Sequence, residues 1–236
     1  MWGDYSICGL KVRAEFRLPR MIALAEKYRC EIEGEPDIEL PFSDERFEYY
    51  RKKYPAASDS DCEVLSSGYC FYVQLFGYGA FFLHSSAVVV DDKAYLFAAD
   101  SGVGKSTHTQ LWLKHFGERA YILNDDKPVI MQREGKIFAW GTPWSGKSDL
   151  NENRCVPLQG ICLLERSLEN SIRPASFSEA LPMIMKQTIM MLDEAEMDGL
   201  LTVLDEILPK CRIWRMGCNI SEEAAVMAYE EMNKKQ

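Results

Sequence analysis

The sequence predicts an α/β protein built on a mixed sheet and finished by C-terminal helices. Three observations carry that expectation. Apolar runs rich in β-branched and aromatic residues recur along the chain, separated by stretches of helical periodicity. One such run, KAYLFAA, passes through the glycines of DSGVGKS straight into a helical pattern, THTQLWLKHF. Another, RAYILNDD, ends in paired acid at Asp125 and Asp126.

Taken in order, SICGLKVRAEF alternates as a strand does, and DERFEYYRKKY reads as a helix with aromatic and charged sides. Pro55 and the polar PAASDSD mark a turn or short linker. This suggests an N-terminal α/β extension over residues 1–60 and a main domain over 61–236, or one continuous domain. GYCFYVQLFGYG and AFFLHSSAVVV read as strands, VDDK as a turn, and KAYLFAA as the next strand. STHTQLWLKHFG is a helix stopped by Gly117. Residues 127–140 form a hairpin turning at Glu134-Gly135. VPLQGICLLE is a strand, and residues 178–208 are helical with a break near Asp198-Gly199. CRIWRM is a last strand, and SEEAAVMAYEEMNKKQ a last helix with Ser221 as its cap and Lys234 and Lys235 at its negative end.

With 236 residues, 47% of them hydrophobic and 27% charged, the chain can fill one large core. Its formal charge of −9 argues against a nucleic-acid or anionic-membrane partner. Residues 64–90 lack Asp, Glu, Lys and Arg, but their serines, glycines, Gln74 and His84 are too polar for a membrane span. Two buried strands joined at GYG is the expectation there. The eight cysteines are scattered, with no C-x-x-C, and no basic-then-apolar leader precedes them. Reduced thiols and a cytoplasmic location follow as expectations, without zinc. Met183, Met185, Met190, Met191 and Met197 lie among Leu and Ile at helical spacing and read as core. Arg212 and Arg215 read as structural, and His108 and His115 as packed or exposed.

GTPWSGKS, residues 141–148, fits the phosphate-loop pattern G-x-x-x-x-G-K-[ST] in full, whereas ADSGVGKS has Ala99 where the first glycine belongs. Context reverses that ranking. Such a loop works because backbone N–H groups freed by glycine point inward at the head of a helix, where the dipole and a lysine add positive charge. Only the second stretch has strand before and helix after; GTPWSGKS runs into DLNENRCVP, with no apolar periodicity. Ser101, Gly102, Val103, Gly104, Lys105, Ser106 and Thr107 are thus the expected nucleotide cradle. Lys105 bridges the β- and γ-phosphates, Ser106 offers its hydroxyl to Mg²⁺, and Thr107 reaches the α-phosphate. The competing reading is a glycine turn with an incidental lysine.

Asp125 and Asp126 follow Lys105 by twenty residues at the end of a strand. Two adjacent carboxylates allow one to hold metal while the other accepts a proton from an attacking hydroxyl. The plainer alternative is an acidic turn before Lys127-Pro128. His84 stands just ahead of the strand that leads to the loop.

LHSSAVVVDDKAYLFAADSGVGKST followed by LNDDKPV resembles the HPr kinase/phosphorylase family, which shares a core with phosphoenolpyruvate carboxykinases. The likeness spans residues 83–165 and is strongest over 100–106. It implies a P-loop kinase core, ATP and Mg²⁺ as cofactors, Asp125 as catalytic base, Asp126 as metal carboxylate and His84 as partner of the base. The family's hexameric habit implies self-association. A glutamate and an arginine of that family fall here on Pro157 and Gln159, which points to a relative acting on another substrate; Glu152 or Asn153 is the substitute ligand to look for. GTPWSGKS then becomes a loop for the γ-phosphate or the substrate, carrying Thr142, Trp144, Ser145, Lys147 and Asn153, against the alternative that Trp144 plugs the core and Lys147 is solvated. The leading expectation is an ATP-dependent kinase acting on a hydroxyl of a peptide, protein or small molecule, a serine above all. A nucleotide-operated accessory module without phosphoryl transfer is the second reading, and a small carboxykinase relative the third.

Overall fold

A computed structural model describes residues 2–188 and 192–234. The chain enters as a hairpin, β1 (Trp2–Ile7) and β2 (Leu10–Glu15), which β3 (Ile38–Leu40) extends in parallel to β2. Cys8, at φ 56°, and Gly9 make the turn between β1 and β2, so the single strand expected over SICGLKVRAEF is two. Three helices flank this sheet: α1 (Pro19–Ala25), α2 (Asp44–Lys53) and α3 (Asp59–Gln74).

α3 is the largest departure from expectation. GYCFYVQ was expected as a strand and is helical. Ser58 and Asp61 form a reciprocal capping box at its start, and its face with Val64, Gly68, Phe71 and Tyr72 is buried. The aromatic run carries strand propensity, but helical spacing places those rings against one core, and packing overrides propensity. One end of the charge-free stretch is therefore helix. Among the described residues no helix is long and apolar enough to cross a membrane.

The main sheet is mixed. β4 (Ala80–Phe82), β5 (Ser85–Val90), β6 (Lys93–Ala98), β7 (Ala120–Asn124), β8 (Val129–Arg133), β9 (Lys136–Trp140) and β10 (Cys155–Arg166) lie in the order β4-β8-β9-β10-β6-β5-β7. AFFLHSSAVVV is thus two strands, broken at Leu83 and His84. α4 (Lys105–Phe116) connects β6 to β7 and ends at Gly117. The long β10 is the seam: its start pairs antiparallel with β9, and its far half runs parallel to β6. On its other side β10 runs parallel to β12 (Ile213–Cys218), which β11 (Ser171–Pro174) pairs antiparallel.

α5 (Phe177–Lys186) and α6 (Glu194–Ile207) cover one face of the sheet, while α4 and α7 (Glu222–Asn233) cover the other. The break between α5 and α6 falls before Asp193, whose side chain accepts from Glu196 N–H, so Asp198 and Gly199 lie inside α6. Ser221 stands at the head of α7 without capping it; its hydroxyl accepts from Asn170. Met183, Met185 and Met197 pack at the margin of the core, and Met190, Met191 and Lys235 lie outside the described residues. All eight cysteines are free thiols. His108 is buried against Phe97, and His115 pairs with Glu222. Arg212 donates to the carbonyls of Met232 and Lys234, and Arg215 to Glu165.

One apolar cluster joins Tyr5, Val12 and Tyr28 of the first sixty residues to Phe71, Val129, Trp140 and Trp144 beyond them. The opening glycine of GTPWSGKS has a packing reason. A Cβ on Gly141 would lie 1.8 Å from the carbonyl oxygen of Glu152. Gly141→Ala must therefore move backbone rather than a side chain, and the expected outcome in a urea titration is a loss of about 3 kcal/mol or more.

Candidate functional site

Strand direction brings the chemistry-bearing residues to one end of the sheet. β5 is antiparallel to β6, with Ser85 opposite Ala98, and β7 is antiparallel to β5, with Asn124 opposite Ala87. The C-terminal ends of β6 and β7 and the start of β5 thus share an edge. The loop at 99–104, His84 with Ser86, and the acids after Asn124 all emerge there.

Between β6 and α4 the loop has the form the sequence implies. Gly102 has φ 79° and Gly104 φ 118°, left-handed conformations that a side chain resists, and Gly104 is the residue before the first turn of α4. A Cβ at Gly102 would meet nothing within 4 Å, so backbone conformation, not crowding, calls for glycine. The amide of Val103 donates to the carbonyl of Asp100 at 3.2 Å. Among the described residues the amides of Ser101, Gly102 and Gly104 have no protein acceptor. Lys105 is half-buried and donates to the carbonyl of Ala99 at 3.0 Å. Burial lowers its pKa, with the negative charges of Asp126, Asp125 and Asp100 pulling the other way.

Asn124, wholly buried, shapes the acidic turn. Its side-chain carbonyl accepts the amides of Asp126 at 2.9 Å and Lys127 at 2.7 Å, and its amide donates to the carbonyl of Thr142 at 2.9 Å. Asp125 then turns toward α4, where its carboxylate accepts from Ser86 Oγ at 2.5 Å. Ser86 Oγ lies 2.8 Å from Thr109 Oγ1, which donates to the carbonyl of Ser106 at 3.1 Å. Asp126 has other partners. One of its oxygens lies 3.2 Å from His84 Nε2 and the other accepts from Lys127. Burial pushes its carboxyl up, but Lys127 and His84 more than offset that and hold it well below the usual carboxylate range. His84 was expected beside Asp125 and instead pairs with Asp126, while Asp125 takes the hydroxyl of Ser86.

GTPWSGKS is a loop without a following helix. Thr142 and Ser145 are buried and hydrogen-bonded: Thr142 Oγ1 donates to the carbonyl of Lys127 at 2.9 Å, and Ser145 Oγ accepts from Asn151 at 2.7 Å. Trp144 is 1% exposed, stacks on Phe71 with centroids 4.7 Å apart and donates to Ser67. These three side chains are committed to the core. Gly146, at φ 69°, packs on the acidic turn, where a Cβ would stand 2.9 Å from that of Asp126. Lys147 follows it and is exposed. Asn153 turns away and donates to the carbonyl of Lys27, and Glu152 lies 3.8 Å from Lys27, so the structure brings neither substitute ligand to the acids. Gln159 of β10 donates to the carbonyl of Met232.

Residues that the sequence reading passed over complete the surroundings. Arg20 of α1 donates to the carbonyl of Gly146 at 2.5 Å and to Asp149 at 2.6 Å, and also pairs with Asp61. Tyr28 donates to the side chain of Asn151 at 3.0 Å. Beyond the loop, Arg166 donates to the carbonyl of Gly102 and Lys186 to Asp100 at 2.7 Å. Ser86, next but one to His84, was legible as one of two polar residues at the head of an otherwise apolar strand. Arg20 and Arg166 carried no sequence signal, since both lie far along the chain from what they touch.

Among the described residues no three His, Cys, Asp or Glu side chains form a metal cage. Magnesium does not require one, because it keeps waters and is held by one or two carboxylates with substrate phosphates. The hard oxygens of Asp125, Asp126 and Ser106 suit that ion.

No family model matches the chain, and no curated protein matches it. Among solved structures it is similar to the Hpr(Ser) kinase/phosphatase from Coxiella burnetii, at 11% identity, covering 65% of this chain and 99% of that one with a TM-score of 0.38. A likeness of that strength carries no inference about the chemistry here.

The pairing of Asp126 has a pH signature. Its folded-state pKa lies below the ordinary value of 3.8, so the ionised carboxylate stabilises the fold above that pH, and the contribution drains away as pH falls below it. Asp126→Asn is expected to cost about 1–3 kcal/mol at neutral pH and to flatten the acid-side fall in stability. Urea titrations of both proteins from neutral pH to pH 3 check it; an undiminished acid slope in the variant contradicts the pairing.

Proposed function

We propose that the protein is an ATP-dependent phosphotransferase that moves the γ-phosphoryl group to a hydroxyl, a serine of a peptide or protein being the acceptor class it suits best. The observation that carries this reading is the convergence, at one sheet end, of a glycine loop with free amides at a helix head, a half-buried lysine and two acids with different partners. Loop amides, the α4 dipole and Lys105 would hold the phosphates, and Lys105 needs only to leave the carbonyl of Ala99 to do so. Ser106 and Asp126 would hold Mg²⁺, which supplies charge neutralisation on the transferring group when bound.

Asp125 takes the role of base. Both oxygens of Asp126 are engaged by His84 and Lys127, which keep it ionised and suit it to metal. Asp125 spends one oxygen on Ser86, and among the described residues its other oxygen accepts no hydrogen bond, leaving it to receive the hydroxyl proton. His84 then tunes the metal-side carboxylate. Lys147, exposed beyond Gly146, would be free to meet the acceptor. Self-association and a cytoplasmic setting belong to the same reading.

The purified protein tests it with Mg-ATP and a panel of serine-containing peptides and small alcohols. Lys105→Ala is expected to weaken ATP binding about tenfold or more, the loss of a charge-assisted contact to phosphate. Asp125→Asn is expected to abolish transfer while leaving that affinity in place, and Asp126→Asn to raise the Mg²⁺ concentration needed. Full transfer by Asp125→Asn sinks the base assignment. Tight ATP binding with no transfer to any acceptor favours a nucleotide-operated switch, the reading that the missing β10 glutamate supports.

A further inference from the structure

Between the loop, the C-terminal end of β10 and α5 lies a cavity of about 330 Å³, whose lining residue Gln187 accepts the amide of His84 through its carbonyl. Ala98 and Val103 on the loop side, Leu163 on β10 and Met183 on α5 give it apolar walls, beside the polar Asp100, Glu165 and Gln187. Its rim carries Arg166 and Lys186. Both rim cations reach from the cavity to the loop: Arg166 to the carbonyls of Gly102 and Val103, Lys186 to Asp100. Cavity and cradle therefore share a wall.

Strand order sets the direction. β5 and β7, with the acids, flank β6 on one side, and β10 flanks it on the other. A triphosphate whose terminal group faces Asp125 and Asp126 sends its esterified end toward β10. What that end carries must find room there, and the cavity is large enough, since ligand pockets begin at about 300 Å³. Apolar walls suit the faces of a heteroaromatic ring, and a guanidinium at the rim offers a plane on which a base can stack.

We propose that this cavity is the nucleoside subsite, receiving the base and ribose of the nucleotide whose phosphates lie on residues 101–107. The assignment rests on the reading of that loop as a phosphate cradle. It adds α5 to the nucleotide site, an element that carries neither the loop nor the acids.

Calorimetric titration of the full chain in Mg²⁺ with ATP and with inorganic tripolyphosphate separates the two parts, because tripolyphosphate engages the cradle and lacks a nucleoside. Wild type is expected to bind ATP about tenfold or more tighter than tripolyphosphate, and Met183→Trp, which fills the cavity, to erase that gap by weakening ATP alone. Equal ATP affinity in the two proteins overturns the subsite and leaves the cradle standing. Intact ATP affinity with lost transfer gives the cavity to the acceptor and also overturns it. Absence of binding by either ligand to wild type removes the cradle and the subsite together. If Met183→Trp lacks the far-ultraviolet dichroism of the fold, Met183→Ala serves instead, with ATP weakened about threefold by the lost wall contact and tripolyphosphate unchanged; unchanged ATP affinity there is equally fatal.

Discussion

The arrangement depends on one buried side chain amide. Asn124 ends β7, accepts the amides of Asp126 and Lys127, and donates across to the loop at Thr142. A short polar side chain that bonds its own backbone a few residues on holds such a turn. Because Asn124 is wholly buried, each of those bonds has no water to replace it, and losing one strands a polar group in the interior. That constraint rotates Asp125 toward α4 and Asp126 toward His84.

Charge is arranged around that turn in two layers. Near the loop, Lys105 lies within the field of Asp125 and Asp126, and Lys127 and His84 hold Asp126 directly. Further out, Arg20 joins the carbonyl of Gly146 to Asp61 and Asp149, and Tyr28 holds Asn151. The first sixty residues thereby clamp the loop that packs on Asp126. They help to determine where Gly146 stands. On the other flank, Arg166 and Lys186 tie the glycine loop to β10 and α5.

The two lysine-bearing glycine motifs show how the same letters serve different ends. In residues 101–107 the glycines are demanded by backbone conformation at a helix head, and the space beside Gly102 is open. In residues 141–148 the first glycine is demanded by the backbone of Glu152, and Gly146 by both its own positive φ and the side chain of Asp126. Pattern matching ranks the second motif above the first; the elements on either side reverse that order, since only the first stands between a strand and a helix.

Local signals were enough for the strand, glycine loop and helix at 93–116, the hairpin at 129–140, β10, β12 and α7, because each carries its own periodicity and its own stop. They were misleading for residues 59–74, where aromatic residues with strand propensity form a helix whose rings meet a core supplied by distant segments. The break between α5 and α6 was misplaced for a similar reason: Asp198-Gly199 reads as a breaker locally, yet Gly199 packs against Phe76 inside a helix capped at Asp193. The sequence by itself determined which residues could form a phosphate cradle and that two acids would follow it, since glycine conformation and helix polarity are local properties. Which acid His84 meets, what Arg20 and Arg166 grasp, and where a cavity opens beside the loop were decided only by tertiary structure, because those contacts join segments whose approach depends on strand order.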